Sequence, residues 1–337
     1  MAEKAKGKTT LADALAELEK KHGKGTVMRL TKGQHVEKTE TLTTGIYSLD
    51  KILGGGIACG RVIEIFGGEA SGKTTFALQV IAQAQKVGKK AAYIDVEHAF
   101  NMQYAKTLGV DPEQLYFSQP NSAEEAFDIA KMLAETGEFA LIVIDSVAAL
   151  TPATEFEGEV GKGQIGHLAR FLGQALKQVI GIFAQTKTAV ILINQMRMKM
   201  GVSYGDPYTT PGGMALKYYA SQRIRISKGS KVTGKDADDV IGWKSKFRVD
   251  KNKIAVPLQV AEVDFVVGKG FDAASDVFFA AIREDFIRKD KATYYFGETK
   301  LAVGEAAARE AVAAAPEIYA QLVAKLEERR KLNETQD

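Results

Sequence analysis

Along the chain, apolar and polar positions change period several times, and the changes mark its elements. From Thr10 the run Thr-Leu-Ala-Asp-Ala-Leu-Ala-Glu-Leu-Glu-Lys-Lys puts Leu11, Ala14, Leu15 and Leu18 on one helical face. A threonine N-cap and an acid three residues later start it, and it stops near Gly23. The polar stretch from Thr31 to Thr41 separates this helix from the rest of the chain. Blocks of β-branched and aliphatic residues then recur at Arg61 to Phe66, Lys90 to Glu97, Phe139 to Ser146 and Thr188 to Gln195, with a shorter one at Leu115-Tyr116-Phe117. These blocks predict buried strands, and helical spacing returns between them at Thr75 to Ala82 and from about His167 to Thr186. Strand, helix and strand in this order predict right-handed parallel crossovers. The expected fold class is therefore α/β, with a mostly parallel twisted sheet flanked by helices. From about Gly270 the pattern turns helical again, with a short strand at Tyr294-Tyr295-Phe296 and an amphipathic helix from Pro316 to about Leu332. The expected organisation is an N-terminal helix and strand over 1–36, a core over 37–269, a small α/β lobe over 270–332 and a short tail over 333–337.

Composition narrows the class. Hydrophobic residues make up 45% of 337 positions, enough to bury a sizeable core. A formal net charge of +3 is too small to imply a polyanion partner, so any such argument rests on where the charge lies. One cysteine, Cys59, excludes an internal disulfide framework and fits a reducing compartment. No charged-then-apolar leader opens the chain and no apolar run approaches membrane-spanning length, so the expected location is cytoplasmic, with no membrane partner.

Candidate chemistry centres on Gly67-Gly68-Glu69-Ala70-Ser71-Gly72-Lys73-Thr74-Thr75, which matches G-x-x-x-x-G-K-[ST] between a predicted strand and a predicted helix. Glycines let successive backbone N–H groups turn inward, and the helix start adds unpaired donors and a positive dipole end, so the loop suits a polyphosphate. Lys73 supplies a point charge to the β- and γ-phosphates, and the Thr74 hydroxyl a ligand for Mg²⁺; ATP or GTP is the expected ligand. Glu97 falls at the carboxyl end of a predicted strand, where a carboxylate can deprotonate an attacking water. Asp145 ends an apolar strand in the manner of a Walker B acid, which holds Mg²⁺ usually through a water.

Two long polar, glycine-rich loops follow strands on the same side of the sheet, from Thr151 to Gly166 and from Met196 to Gly213, and both are expected to be structureless and functional. Arg170 and Lys177 lie two turns apart on one face of the helix between them. Between Arg223 and Lys253 fall ten basic and four acidic residues, the most basic stretch of the chain.

Together with the phosphate loop, the runs Asp95-Val96-Glu97-His98-Ala99, Val143 to Pro152, Ile193-Asn194-Gln195-Met196-Arg197-Met198-Lys199 and Lys251-Asn252-Lys253-Ile254-Ala255 resemble the bacterial RecA recombinases, from about residue 10 to residue 330. The resemblance implies a DNA-dependent ATPase with a RecA-type P-loop NTPase core. It implies ATP and Mg²⁺ as cofactors and helical homo-oligomeric filaments on single-stranded DNA. It further implies pairing of that strand with homologous double-stranded DNA in recombinational repair. An SOS repressor is a further candidate partner. In the same terms Glu97 resembles the catalytic base, Asp145 the Walker B acid and Gln195 the γ-phosphate sensor. Lys251 and Lys253 match lysines that reach the neighbouring subunit's ATP, and Tyr104 the residue near adenine. Arg170, Lys177, Arg197 and Lys199 are implied phosphate contacts, with Ile165 and Met200 as wedges between bases and Gly212 and Gly213, at the end of the second loop, as further DNA-binding residues. The N-terminal helix is implied to dock on the adjacent subunit, and the C-terminal lobe to guide duplex DNA. Asn101, Val267, Pro211 and Met214 depart from the family's wording, and the last residues are not strongly acidic. Two other functions use the same parts: a ring-forming hexameric helicase, and a non-catalytic single-strand-binding protein that takes ATP as a structural ligand.

Overall fold

The computed structural model describes residues 10–24, 26–27, 38–152, 166–198, 208–233 and 239–334. They fall in two units, Met1–Thr39 and Glu40–Asp337. In the first, helix α1 (Leu11–His22) has the expected capping box: the Asp13 amide donates to the Thr10 hydroxyl at 3.2 Å, and the Thr10 amide to the Asp13 carboxylate at 3.2 Å. None of its residues is buried. The strand expected within 1–36 after this helix lies outside the described residues.

The second unit opens with β1 (Thr41–Leu42), α2 (Tyr47–Leu53) and β2 (Ile57–Ala58), followed by β3 (Val62–Gly67), α3 (Lys73–Lys86), β4 (Lys90–Asp95), α4 (Met102–Thr107), β5 (Leu115–Ser118), α5 (Ala123–Glu135) and β6 (Phe139–Asp145). Helix α6 (His167–Thr186), β7 (Ala189–Gln195), β8 (Arg197–Met198), β9 (Tyr208–Thr209) and α7 (Ala215–Tyr219) come next. Strands β10 (Gln222–Thr233), β11 (Val240–Asn252), β12 (Val260–Val266) and β13 (Gly270–Phe271) complete the core. Its nine-stranded sheet has the order β13-β12-β11-β10-β3-β7-β6-β4-β5. From β10 to β5 neighbouring strands are parallel, and from β10 to β13 they are antiparallel.

Successive side chains of a strand point to opposite faces, and here both faces are covered. Ile63, Ile65, Leu141, Val143, Ile191 and Ile193 pack on one side with Phe76, Val80 and Ile81 of α3. Val62, Ile142, Ile144, Val190 and Leu192 pack on the other with Ala126 and Phe127 of α5 and Leu172, Leu176, Val179 and Phe183 of α6. The last four recur at helical spacing, which is why α6 presents one apolar stripe. A third cluster joins α8 (Ala273–Arg283), β14 (Ile287–Asp290), β15 (Thr293–Phe296), β16 (Thr299–Val303), α9 (Glu305–Ala314) and α10 (Pro316–Glu334). It is tied to α2: the Tyr47 hydroxyl donates to the Leu326 carbonyl at 3.2 Å and the Ser48 amide to the Asp276 carboxylate at 2.8 Å.

One expectation is corrected, and one stretch known only by its charge is given its form. The basic stretch from Arg223 to Lys253 is a long antiparallel strand pair, in which Ile224, Ile226, Phe247 and Val249 are buried between exposed or half-buried charges. The second glycine-rich loop is not structureless at its roots: Arg197 pairs with Thr209 and Met198 with Tyr208 in a short ribbon, and α7 follows. Local pairing satisfies backbone groups that an extended loop would leave to water.

Inside the sheet, fully buried Glu64 on β3 is paired with Arg223 on β10 and accepts a hydrogen bond from the Asn194 amide on β7 at 3.0 Å. Arg223→Ala leaves that carboxylate without its cation and is expected to cost about 3–5 kcal/mol in chemical denaturation. Combining it with Glu64→Gln should recover most of the loss; equal stability of the single and double variants would contradict this account.

Candidate functional site

The phosphate loop is built by a strand that cannot continue. At Gly67 an added Cβ would lie 2.2 Å from the Ile226 carbonyl oxygen of β10, so only glycine lets β3 end this close to its neighbour. At Gly72, φ is +96° and a Cβ would meet the Phe271 ring at 2.9 Å, so the N-cap of α3 is also reserved for glycine. The first amides of α3 therefore open at the strand end with no side-chain cap, a ready anion site. The Lys73 ammonium folds over the loop and donates to the carbonyls of Gly68 at 2.8 Å and Gly67 at 3.4 Å. Burial lowers its pKa, opposed by the charges of Asp145, Glu97 and Glu69. Beside it the Thr74 hydroxyl donates to Asp145 at 2.6 Å, and the Tyr93 hydroxyl donates to the same oxygen at 2.8 Å. Burial raises the Asp145 pKa, and these two donors work against that rise.

Glu97 reaches the same place through backbone geometry. The amides of Val96 and Glu97 both donate to the Asp145 carbonyl, at 2.7 and 3.2 Å. Buried Asp95 shapes the following turn by accepting from the amides of Ala99 at 3.3 Å and Phe100 at 3.1 Å and from the Gln119 side chain at 3.0 Å. Glu97 Oε1 accepts from the Ser146 hydroxyl and, at 3.2 Å, from Gln195 Nε2. Behind Gln195, Asn194 fixes the end of β7, accepting from the Gln195 amide at 2.9 Å and donating to the Pro211 carbonyl at 3.1 Å. The Met196 amide donates to the Gly67 carbonyl at 3.1 Å. The ends of β3, β4, β6 and β7 thus converge on Lys73, Thr74, Glu97, Asp145 and Gln195.

A cavity of about 430 Å³ runs from Ala70, Ser71, Gly72, Lys73, Thr74 and Thr75 to Tyr104, Trp243, Phe265, Val267 and Gly268. Tyr104 is held there by a 2.9 Å hydrogen bond between its hydroxyl and that of Thr75, and by Asn101, which caps α4 by accepting from the Tyr104 amide at 2.9 Å. Glu69 and Gly68 are exposed on the loop.

Other expected site residues lie apart. Lys251 pairs in register with Arg223, and Arg223 with Glu64, so Lys251 sits two strands across from β3, level with its middle. Its ammonium donates to the carbonyls of Lys217 at 2.7 Å and Tyr218 at 2.9 Å, near the end of α7, and burial and the cations Lys253 and Arg223 lower its pKa. Lys253 is exposed nearby. Arg170 and Lys177 are exposed on α6, and exposed Arg197 opens the ribbon after Gln195. Gly212 and Gly213 sit against Leu172 and Ala169 of α6. Ile165, Lys199 and Met200 lie outside the described residues, as do most of the first loop and the centre of the second. A cavity of about 210 Å³, lined in part by Met196, Thr209, Lys217, Arg223 and Arg225, opens at the ribbon.

Sequence reasoning missed Tyr93, Asp95, Ser146, Asn194 and Trp243. The first four flank motifs that it did find, at strand ends where ligand-facing residues gather. Trp243 had as its signal only the alternation of β11, hidden among lysines.

A mostly parallel α/β sheet with a glycine-framed phosphate loop, a Thr74–Asp145 pair and a strand-end acid defines a P-loop NTPase core. Residues 9–272 match the RecA N-terminal domain family. Proteins named RecA are 43% identical in Syntrophus aciditrophicus, over 92% of this chain and 90% of that protein. The identity is also 43% in Thermus thermophilus, over 95% and 94%. In Salinispora tropica it is 44%, over 94% and 90%. The crystal structure of the RadB recombinase superposes with a TM-score of 0.51 at 28% identity, covering 68% of this chain and 98% of that one. The chain belongs to the RecA family.

Lys73→Ala removes the cation folded over the loop glycines and is expected to abolish measurable ATP binding in calorimetry while leaving the fold intact. Unchanged ATP affinity would remove the phosphate role from Lys73.

Proposed function

We propose that the chain is a DNA-dependent ATPase that assembles copies of itself as a helical filament on single-stranded DNA and pairs that strand with homologous double-stranded DNA, in recombination and repair. The observation that carries this reading is Gln195. Its side chain bonds Glu97 at 3.2 Å, its neighbour Met196 bonds Gly67, and Arg197 begins the ribbon of the second loop, so one short segment belongs both to the phosphate site and to the candidate DNA contact.

The chemistry follows from the residues present. Loop amides, the α3 N-terminus and Lys73 bind the triphosphate. Mg²⁺ fits the hard oxygens of Thr74 and Asp145, which already converge at 2.6 Å, and when bound it neutralises charge on the β- and γ-phosphates. Among the described residues no group of three or more His, Cys, Asp or Glu is placed to hold a metal, so phosphate and water oxygens would complete the shell. Glu97 orients a water and takes its proton. Glu97 Oε1 is held by Ser146 and Gln195. A γ-phosphate that draws the Gln195 amide away removes one of the two donors on Glu97 Oε1 and pulls on the root of the second loop, so activation and DNA grip rise together.

Arg197, Arg170, Lys177 and Lys199 supply contacts to phosphates that carry no sequence information, and Ile165 and Met200 supply apolar wedges. Sequence-blind binding leaves base edges free for a second strand. Lys251 and Lys253, away from their own phosphate loop, suit contact with the nucleotide of a neighbouring copy. Helix α1, with no buried residue, suits docking on that copy. The core of 37–269 carries the chemistry, and the 270–332 lobe suits duplex guidance. Among the described residues no helix is long and apolar enough to cross a membrane; a cytoplasmic setting, with no membrane partner, completes this reading.

Electron microscopy with ATP and single-stranded DNA tests the assembly: helical filaments are expected, and closed rings would overturn it. Glu97→Gln is expected to keep ATP binding while slowing hydrolysis by roughly two to four orders of magnitude, and turnover at the unaltered rate would make Glu97 a surface acid. Gln195→Ala should bind ATP yet lose both the ATP-dependent rise in single-strand affinity and DNA-stimulated hydrolysis. Arg197→Ala should weaken DNA binding across all sequences and lower its salt slope by about one contact, with DNA-free ATP binding intact. If Gln195→Ala still tightened on DNA with ATP, the sensor role would be wrong.

A further inference from the structure

Beyond the phosphate loop, the 430 Å³ cavity ends in a wall of rings and aliphatic side chains. Phosphates held at Lys73 and Thr74 leave the base of a nucleotide at this other end, beside Tyr104, Trp243 and Val267. Trp243 on β11 stands directly across from Phe265 on β12, stacked with centroids 4.3 Å apart and planes at 17°. The Lys228 ammonium of β10 lies over the same indole, 4.3 Å from its centroid. A stacked ring and a cation cannot share one face, so both faces are covered and the indole turns an edge to the cavity. Phe265 abuts Phe271 edge-on at 5.1 Å, and Phe271 abuts Phe76 of α3 at 6.2 Å, so a chain of rings links the wall to the phosphate-loop helix.

We propose that Trp243, pinned between Lys228 and Phe265, is the base-contacting residue of the nucleotide site and selects purines over pyrimidines. The proposal rests on the reading of the phosphate loop as a nucleotide site. An aromatic edge is its electropositive part, a cation on one face strengthens that polarity, and the face of a purine gives it a wider partner than a pyrimidine does. The Tyr104 hydroxyl is already bonded to Thr75, which leaves little at this end to read exocyclic groups. Selection is therefore by ring size and edge contact, separating purine from pyrimidine rather than adenine from guanine.

Trp243 is the one tryptophan of the chain, so its emission reports on this wall alone. The full chain is titrated with ATP, GTP, CTP and inorganic tripolyphosphate, following tryptophan fluorescence and calorimetric affinity. ATP and GTP should shift the emission and bind more tightly than CTP, while tripolyphosphate binds without shifting it. Trp243→Ala should weaken ATP about tenfold, bring ATP and CTP to near-equal affinity and leave tripolyphosphate binding unchanged, which also shows that the variant folds. Trp243→Phe should fall between. If ATP and tripolyphosphate both bind but the emission is still, or if Trp243→Ala keeps the purine preference, the assignment is overturned. If neither ligand binds the unaltered chain, the nucleotide reading fails and takes this one with it.

Discussion

The Thr74 hydroxyl donates to Asp145 across 2.6 Å, and that bond joins the first turn of α3 to the end of β6. Strand β7 lies between β3 and β6 in the sheet, so the contact spans two strand spacings over the carboxyl ends. It can form only because glycine at 67 and 72 lets the chain leave β3 and enter α3 in so short a turn. Asp145 in turn fixes its surroundings: its carboxylate takes the Tyr93 hydroxyl, and its carbonyl takes the amides that carry Glu97. A buried carboxylate is costly unless its lone pairs are used, and here hydroxyl donors use them, which holds the acid beside the loop where the proposed Mg²⁺ and phosphates would lie.

From this anchor the proposed coupling needs little further machinery. Gln195 ends the strand between β3 and β6, so it faces the loop on one side and Glu97 on the other, and the residue after it is already hydrogen-bonded to Gly67. Behind it, the Asn194, Glu64 and Arg223 network holds the end of β7 to β3 and β10, and Asn194 also bonds Pro211 at the far root of the second loop. A rigid base with one mobile amide on top suits a two-position sensor better than a loose loop would, because a small displacement then has only one outlet.

What the sequence disclosed, and what it hid, depends on the range of each signal. The phosphate loop, the buried strands at 62–67, 139–145 and 189–195 and the helices α1 and α6 are local patterns, and the apolar period states them directly. The contact of Glu97 with Ser146 and Gln195 joins three strand ends far apart in sequence, so no spacing along the chain could announce it. In β10 and β11 Ile224, Ile226, Phe247 and Val249 alternate with polar and charged residues, but the density of lysine and arginine obscures the strand period. Trp243 lay in the same stretch; its nearness to the phosphate loop is set by strand order and by the Phe265 stack, which are tertiary facts. The ribbon at Arg197 and Thr209 was masked by glycine and proline content that suggested an open loop throughout.

The central claim is that one strand end serves both phosphate and DNA, and the rate of ATP hydrolysis with and without single-stranded DNA tests it most directly. The account predicts slow turnover alone and a marked rise that saturates with added single strand, equal for strands of different sequence and weakened by salt. An ATPase rate that single-stranded DNA leaves unchanged, at concentrations where binding is complete, would contradict it.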